Sequence, residues 1–237
     1  MPPSTLPLSM LHLRTGKLLL RPFVPGDAPA FARYRSDPDV ARYQSWTSPY
    51  SLAAAEELVT QMQGRHLVPP RPGEWNQVAI QLTDAQPGDT TLIGDCVFRV
   101  HPDDVGQAGI GFTSSKPLQH LGYATQAVRA LLRALFDDMG LHRVTAACDV
   151  ENRSSQRVLE RVGMRREAHF VQNMFFKVAW RSEYAYAILR SEWSAGVTRP
   201  PPPFVGLAPS PTGRRFSGLP EFPNGHPLPS FADSGQP

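Results

Sequence analysis

Residues 119–125 read Gln-His-Leu-Gly-Tyr-Ala-Thr, and their types and position suit them to hold an anion. They stand between an apolar segment, Ala108 to Thr113, and a run in which Ala124, Ala127, Val128, Leu131, Leu135 and Met139 recur at helical spacing. Arg129, Arg133 and Asp137 occupy the opposite face of that run. A loop that turns directly into a helix leaves the helix's first N–H groups unpartnered, at the positive end of its dipole. Phosphate binds readily there, and Gly122 lets the backbone approach a ligand where a side chain would block it. Alone, the segment reads equally well as an ordinary helix start containing a glycine.

A second run adds a polar constellation. Arg143 to Val150 alternates as a strand, with Val144, Ala146, Cys148 and Val150 on one face. It leads into Asn152, a good N-cap, then Val158, Leu159 and Val162 as a short apolar stripe, and Gly163 as a C-terminal stop. Ser155 lies one turn into this helix, where a hydroxyl can face whatever the preceding strand end holds.

The sequence Gln-x-x-Gly-x-Ala, followed about thirty residues later by Asn-x-x-Ser…Val-Leu…Gly-Met, resembles the GNAT superfamily of acetyl-CoA-dependent N-acetyltransferases. Within it, the second run is similar to the ribosomal-protein N-terminal (alanine/serine) acetyltransferase branch. Leu18-Leu19-Leu20-Arg21-Pro22 with Asp27 resembles the family's first strand and helix entry, and Trp180 to Trp193 resembles its closing strand. The resemblance runs from about Thr15 to Ala195. It implies a mixed α/β (α+β) fold: a mostly antiparallel twisted sheet flanked by helices, with acetyl-CoA as co-substrate at a splayed strand pair.

The resemblance also assigns roles. Phe112, Thr113 and Ser114 would line the acyl and pantetheine arm through their backbone. Gln119 opens the motif, and Leu121, Gly122, Tyr123, Ala124 and Thr125 would hold the pyrophosphate. Asn152 would hydrogen-bond the pantetheine arm, beside its reading as a plain cap. Ser155 matches the serine that donates to the departing sulfur in the ribosomal-protein branch. Other members use a tyrosine, and none stands between Asn152 and Gly163. Tyr43 and Trp46 would border the acceptor groove, although aromatic residues near helix ends also pack in cores. A general base is missing from its usual places. Gly109 stands where many relatives carry glutamate, and Ser182 where an aspartate often follows the late tryptophan. Glu183 and Glu167 are the remaining candidates, and both read more readily as solvated surface glutamates than as a base.

The elements that must position these residues follow from caps and composition. Asp27 is expected to cap a helix carrying Phe31 and Tyr34. Asp37-Pro38 marks a second helix start, and Ser51 a third, with Leu52, Leu58, Val59 and Met62 facing inward. Residues 1–14 read as an extension and 15–195 as one domain. From Gly196 onward, starting with Arg199 and four prolines, the chain reads as a proline-rich tail without a core. No stretch is apolar enough to span a bilayer, and no basic segment followed by an apolar one opens the chain, which predicts a cytoplasmic protein. Cys96 and Cys148 sit in apolar strands and are expected reduced and buried. His120 and His169 lack the further ligands a metal site needs. A net charge of +3 suits an anionic co-substrate and is too small to indicate nucleic acid.

Three functions fit: acetyl transfer to a protein or peptide α-amine, acetyl transfer to a small amine (amino acid, polyamine or aminoglycoside), or a non-catalytic acyl-CoA-binding module. A monomer and a homodimer are both compatible with the sequence.

Overall fold

Alternation of apolar and polar residues builds eight strands into one sheet, and helical periods cover both of its faces. The computed structural model describes residues 12–65, 67–84 and 91–196. The proline-rich tail beyond Gly196 and all but the end of the N-terminal extension lie outside the described residues.

A short hairpin, β1 (Leu13–Thr15) and β2 (Leu18–Arg21), precedes α1 (Ala28–Arg35), α2 (Pro38–Ala41) and α3 (Leu52–Gln63). Three antiparallel strands follow, β3 (Asn76–Leu82), β4 (Leu92–Val100) and β5 (Gln107–Ser114). Then come α4 (Tyr123–Arg133), β6 (Arg143–Asp149), α5 (Arg153–Arg161), the long hairpin β7 (Arg165–Phe176) and β8 (Ala179–Leu189), and α6 (Arg190–Ser194). The strand order is β1-β2-β3-β4-β5-β6-β8-β7, and every neighbouring pair is antiparallel except β5 and β6.

One face carries α4 and α5. Val128, Leu131, Leu132, Leu135 and Phe136 are fully buried there against Leu20, Val78, Phe98 and Val144. Five large apolar side chains contribute on the order of 10 kcal/mol as an upper bound, enough to fix the direction in which α4 points. Beyond Arg133 the helix continues as a π-turn, in which the Met139 N–H reaches the Ala134 carbonyl. The other face carries α1 to α3, with Phe31, Tyr34, Val59 and Met62 packed over Ala79 and Leu92.

Inside that second layer Asp95 is buried and hydrogen-bonded by the Tyr34 hydroxyl and by Gln77 Nε2 at 2.6 Å. Arg35 Nη2 lies 3.7 Å away. Burial raises the Asp95 pKa despite the pull of Arg35. Asp95 also faces Thr113 across the β4–β5 ladder, so this polar knot ties α1 to the strand that ends at the cleft.

Several expectations need correcting. Leu13 and Arg14 already pair with Leu20 and Leu19, so ordered structure begins inside the stretch read as an extension. Asp27 does not cap α1. Its carboxylate instead accepts two bonds from Arg21, at 2.7 and 2.8 Å, and one from the Val24 N–H. A bidentate guanidinium outcompetes neutral amides for the same oxygens. Leu52 is exposed at the start of α3, where Ala55 takes the inward position. The closing strand ends at Leu189. Trp193 belongs to α6, stacks on Phe136 and donates to Asp137. Asp37 and Ser51 cap their helices as expected.

Candidate active site

The parallel pair β5–β6 is in register only from Gln107↔Arg143 to Gly109↔Thr145. Past that point β5 continues to Ser114 and β6 to Asp149, but the two diverge. The result is a wedge in the sheet with no neighbouring strand along the inner edge of β5. Gly94 keeps β4 close behind it, since a Cβ there would sit 2.2 Å from the Thr113 carbonyl oxygen. The wedge opens into a cleft of about 310 Å³.

Above the wedge the chain turns into α4. Gly122 occupies the N-cap position at φ 85°, a left-handed conformation that glycine adopts without strain. No side chain caps the helix, and its first internal bond is Gln126 N–H to the Gly122 carbonyl. The N–H groups of Tyr123, Ala124 and Thr125 are therefore available to an anion. A Cβ at Gly122 would meet nothing closer than Gln126 Nε2, at 4.0 Å. Gln119 has a structural task as well: its Nε2 donates to the Ser114 carbonyl at 3.1 Å, fastening the loop to the end of β5.

On the opposite wall Asn152 Oδ1 accepts from the Ser155 N–H at 3.1 Å, a helix cap that leaves Nδ2 to donate elsewhere. The half-buried Ser155 side chain faces the cleft, and its hydroxyl has no hydrogen-bond partner among the described residues.

Most of the residues selected from the sequence come together here. Phe112, Thr113, Ser114, Gln119, Gly122, Ala124, Thr125, Asn152, Ser155 and Tyr43 all line the cleft. Three do not. Leu121 is exposed beside it, and Tyr123 packs against the core under α4. Trp46 is buried behind the lip: its indole N–H donates to the Arg35 carbonyl at 3.0 Å, and the Arg35 guanidinium lies 3.8 Å from its ring centre.

The cleft also contains residues that the motifs did not indicate: Arg42, Lys116, Arg157 and Arg161, with Asp39 as the single lining carboxylate among the described residues. Arg157 and Arg161 share the i, i+4 face of α5, a period that sequence reading could have used. Lys116 donates to Asp39 at 2.9 Å, 77 positions away, and no local signal announces that pair. Their hydrogen bond lowers the Asp39 pKa and raises that of Lys116.

Neither candidate glutamate reaches the cleft. Glu167 is held by Arg143 and Arg165; burial pushes its pKa up, but the two guanidiniums outweigh that and hold it below the usual carboxylate range. Glu183 accepts from Asn173 at 2.7 Å. Ser182 receives the Gln172 N–H across a strand irregularity. At Gly109 a Cβ would have free space, its nearest neighbour being Thr145 Oγ1 at 3.8 Å, so the place where relatives carry glutamate is open. His120 lines the cleft, and His169 packs edge-on against Tyr184. Cys96 and Cys148 are free and buried, and burial pushes the Cys148 thiol up to about 12.

The splayed β5–β6 pair beside the α4 start is the arrangement that the sequence resemblance implied. The model of the acetyltransferase (GNAT) domain matches residues 17–165, more than half of the chain. The chain belongs to the GNAT acetyltransferase family. It is 32% identical over 185 residues to the uncharacterized N-acetyltransferase YnaD of Bacillus subtilis (strain 168), covering 78% of this chain and 100% of that one. A GNAT acetyltransferase structure from Bacillus anthracis superposes with a TM-score of 0.65 at 30% identity, over 77% of this chain and all of the other. Mycobacterium smegmatis RimJ, solved in complex with CoA-disulfide, shares the fold with a TM-score of 0.64 at 23% identity, over 77% and 88% of the two chains. Like other GNAT proteins the chain is an N-acetyltransferase with a mixed α/β sheet flanked by helices. Among the described residues no helix is long and apolar enough to cross a membrane.

Proposed function

We propose that this N-acetyltransferase transfers the acetyl group of acetyl-CoA to the α-amine of a protein or peptide N-terminus, within the β5–β6 wedge. The observation that carries the reading is the cleft's charge and geometry. Four basic side chains and the open α4 N–H groups face one carboxylate, and that carboxylate is already paired with Lys116.

The residues present fit the acyl donor. The N–H groups of Tyr123 to Thr125 receive the pyrophosphate, with Gly122 leaving room for it. The inner edge of β5 from Phe112 to Ser114 and Asn152 Nδ2 offer donors and acceptors to the pantetheine amides. As the amine nitrogen bonds to the acyl carbon, the carbon–sulfur bond breaks and its electron pair leaves on sulfur. Ser155 donates a hydrogen bond to that sulfur, and the β5 backbone steadies the charge on the carbonyl oxygen. The amine's proton passes to water in the open cleft.

Acceptor chemistry follows from the vacancy at Gly109. With no unpaired carboxylate lining the cleft among the described residues, the enzyme favours an amine that deprotonates readily near neutral pH. An α-amine, with a pKa of about 8, does so, whereas a lysine side chain or polyamine near 10.4 is almost wholly protonated. The test is the pH dependence of kcat/KM for a peptide with a free N-terminus and blocked lysine, beside the reverse peptide, a free amino acid, spermidine and an aminoglycoside. The reading predicts the largest value for the α-amine peptide, rising to a plateau near the pKa of its own amine. A larger value for a small amine would replace this acceptor with that one.

A further inference from the structure

The tip of the β7–β8 hairpin has a backbone that its residues do not favour. Lys177 and Val178 both lie in the left-handed region, at φ 47° and 63°. Neither is glycine, and Val178 is β-branched and 91% exposed. Such strain persists where the surroundings over-determine it. The two-residue turn between the paired Phe176 and Ala179 demands that conformation at both positions, and it holds the Lys177 side chain so that its ammonium donates to the Ala41 carbonyl at 2.7 Å and to the Trp46 carbonyl at 2.8 Å. Both partners are neutral main-chain oxygens, and burial lowers the Lys177 pKa.

Those two carbonyls bracket one short loop. Ala41 ends α2, and Trp46 is locked in the core by Arg35. Between them, Arg42, Tyr43 and Gln44 form the lip of the cleft opposite α5. The far side of the mouth reaches the same lip by a weaker tie: Arg181 donates to Glu151 at 2.8 Å, and Glu151 lies 3.6 Å from Arg42. Arg42 and Glu151 are more than half exposed, so that tie parts easily. The lip thus has a firm hold at its base and a loose one at its edge.

We propose that Lys177 is a positioning residue for the amine acceptor: by clamping both ends of the Arg42–Ser45 loop it sets the lip across which the acceptor enters. The proposal rests on acetyl transfer occurring in this cleft, and not on which amine accepts.

Lys177→Met in the full chain keeps the apolar stem and removes the donors. The acceptor used is whichever amine the wild type turns over best, so a failure of the α-amine reading leaves this test intact. KM for the acceptor is expected to rise about tenfold, the order of one charge-assisted hydrogen bond, because only part of the energy of the two bonds removed bears on the acceptor, with kcat and the acetyl-CoA dissociation constant little changed. Lys177→Arg, which can still reach both carbonyls, is expected to fall between. Hydrogen exchange of amides 42–50 is expected to quicken while that of β4 and α4 stays the same. Unchanged exchange in that segment would show that the clamp does not hold the lip. Faster exchange with an unchanged KM would show that the lip does not serve the acceptor. Either result overturns the proposal, as does a fall in kcat with KM unmoved.

Discussion

Replacing Gly122 by aspartate separates affinity from stability. Asparagine and aspartate tolerate the left-handed conformation better than other side chains, and a Cβ at this position has free space. A carboxylate at a helix start is favourable by about 0.3–1 kcal/mol, which offsets most of the conformational cost. Gly122→Asp is therefore expected to melt within a few degrees of the wild type. Acetyl-CoA affinity behaves differently. A carboxylate about 6 Å from a phosphate charge, at an effective dielectric of about 20, costs about 2.8 kcal/mol per charge pair, or roughly a hundredfold in affinity. Gly122→Asn provides the neutral twin and should lose much less. The assay is titration calorimetry with acetyl-CoA on the three proteins at one ionic strength, beside their melting temperatures. Wild-type affinity in the aspartate variant would refute the assignment of the α4 N-terminus to the pyrophosphate. Equal losses in both variants would place the effect in backbone fit and not in phosphate charge.

Ser155→Ala should lower kcat about a hundredfold, as for other positioned proton donors, with acetyl-CoA affinity nearly unchanged because a thioester sulfur accepts hydrogen bonds poorly. Since the Asn152 cap uses the Ser155 backbone N–H, stability should hold, and full turnover in the variant would remove Ser155 from the reaction. Glu167→Gln breaks the junction between β6, β7 and α6 that Arg143, Arg165 and Glu192 complete, at a cost of about 1–2 kcal/mol at pH 7. The folded pKa of Glu167 lies below its unfolded value, so its contribution is complete above the unfolded carboxylate range of about 4.3 and fades as pH falls through the folded value. Thermal melts of both proteins should therefore converge in acid, and a difference that persists there would contradict the ion-pair account.

How much of this was legible in the chain depends on how local the physics is. The apolar period of residues 124–139, the Asn152 cap and the helix start at Gly122 are each decided within one or two turns, and the structure repeats them; the left-handed conformation of Gly122 is seen only in the structure. So is the strand–helix order that gives the family its fold. Asp27 shows the limit of such reasoning: as a cap and as the partner of Arg21 it looks the same in sequence, and the choice was made by where β2 brings the guanidinium. Trp46 looked like a substrate contact because the partners that bury it, Arg35 at the end of α1 and the apolar cluster beneath, are not evident in the local sequence. Glu167 looked solvated because its partners come from β6 and from a neighbour two residues away on its own strand. The Asp39–Lys116 pair and the Lys177 clamp join positions 77 and 136 residues apart. No periodicity carries that information, and these contacts shape the lip and wall of the cleft.

The central claim is that this chain moves an acetyl group from acetyl-CoA to an N-terminal α-nitrogen. The direct measurement is tandem mass spectrometry on a peptide with a free N-terminus and an internal lysine, after incubation with the full chain and acetyl-CoA. The account predicts one acetyl group, located on the α-nitrogen, with free CoA released in equal amount, formed roughly a hundredfold more slowly when Gly122→Asp replaces the wild type at limiting acetyl-CoA. Acetylation confined to the lysine side chain, or acetyl-CoA bound tightly while no amine in the peptide or in a small-amine panel is acetylated, would contradict it.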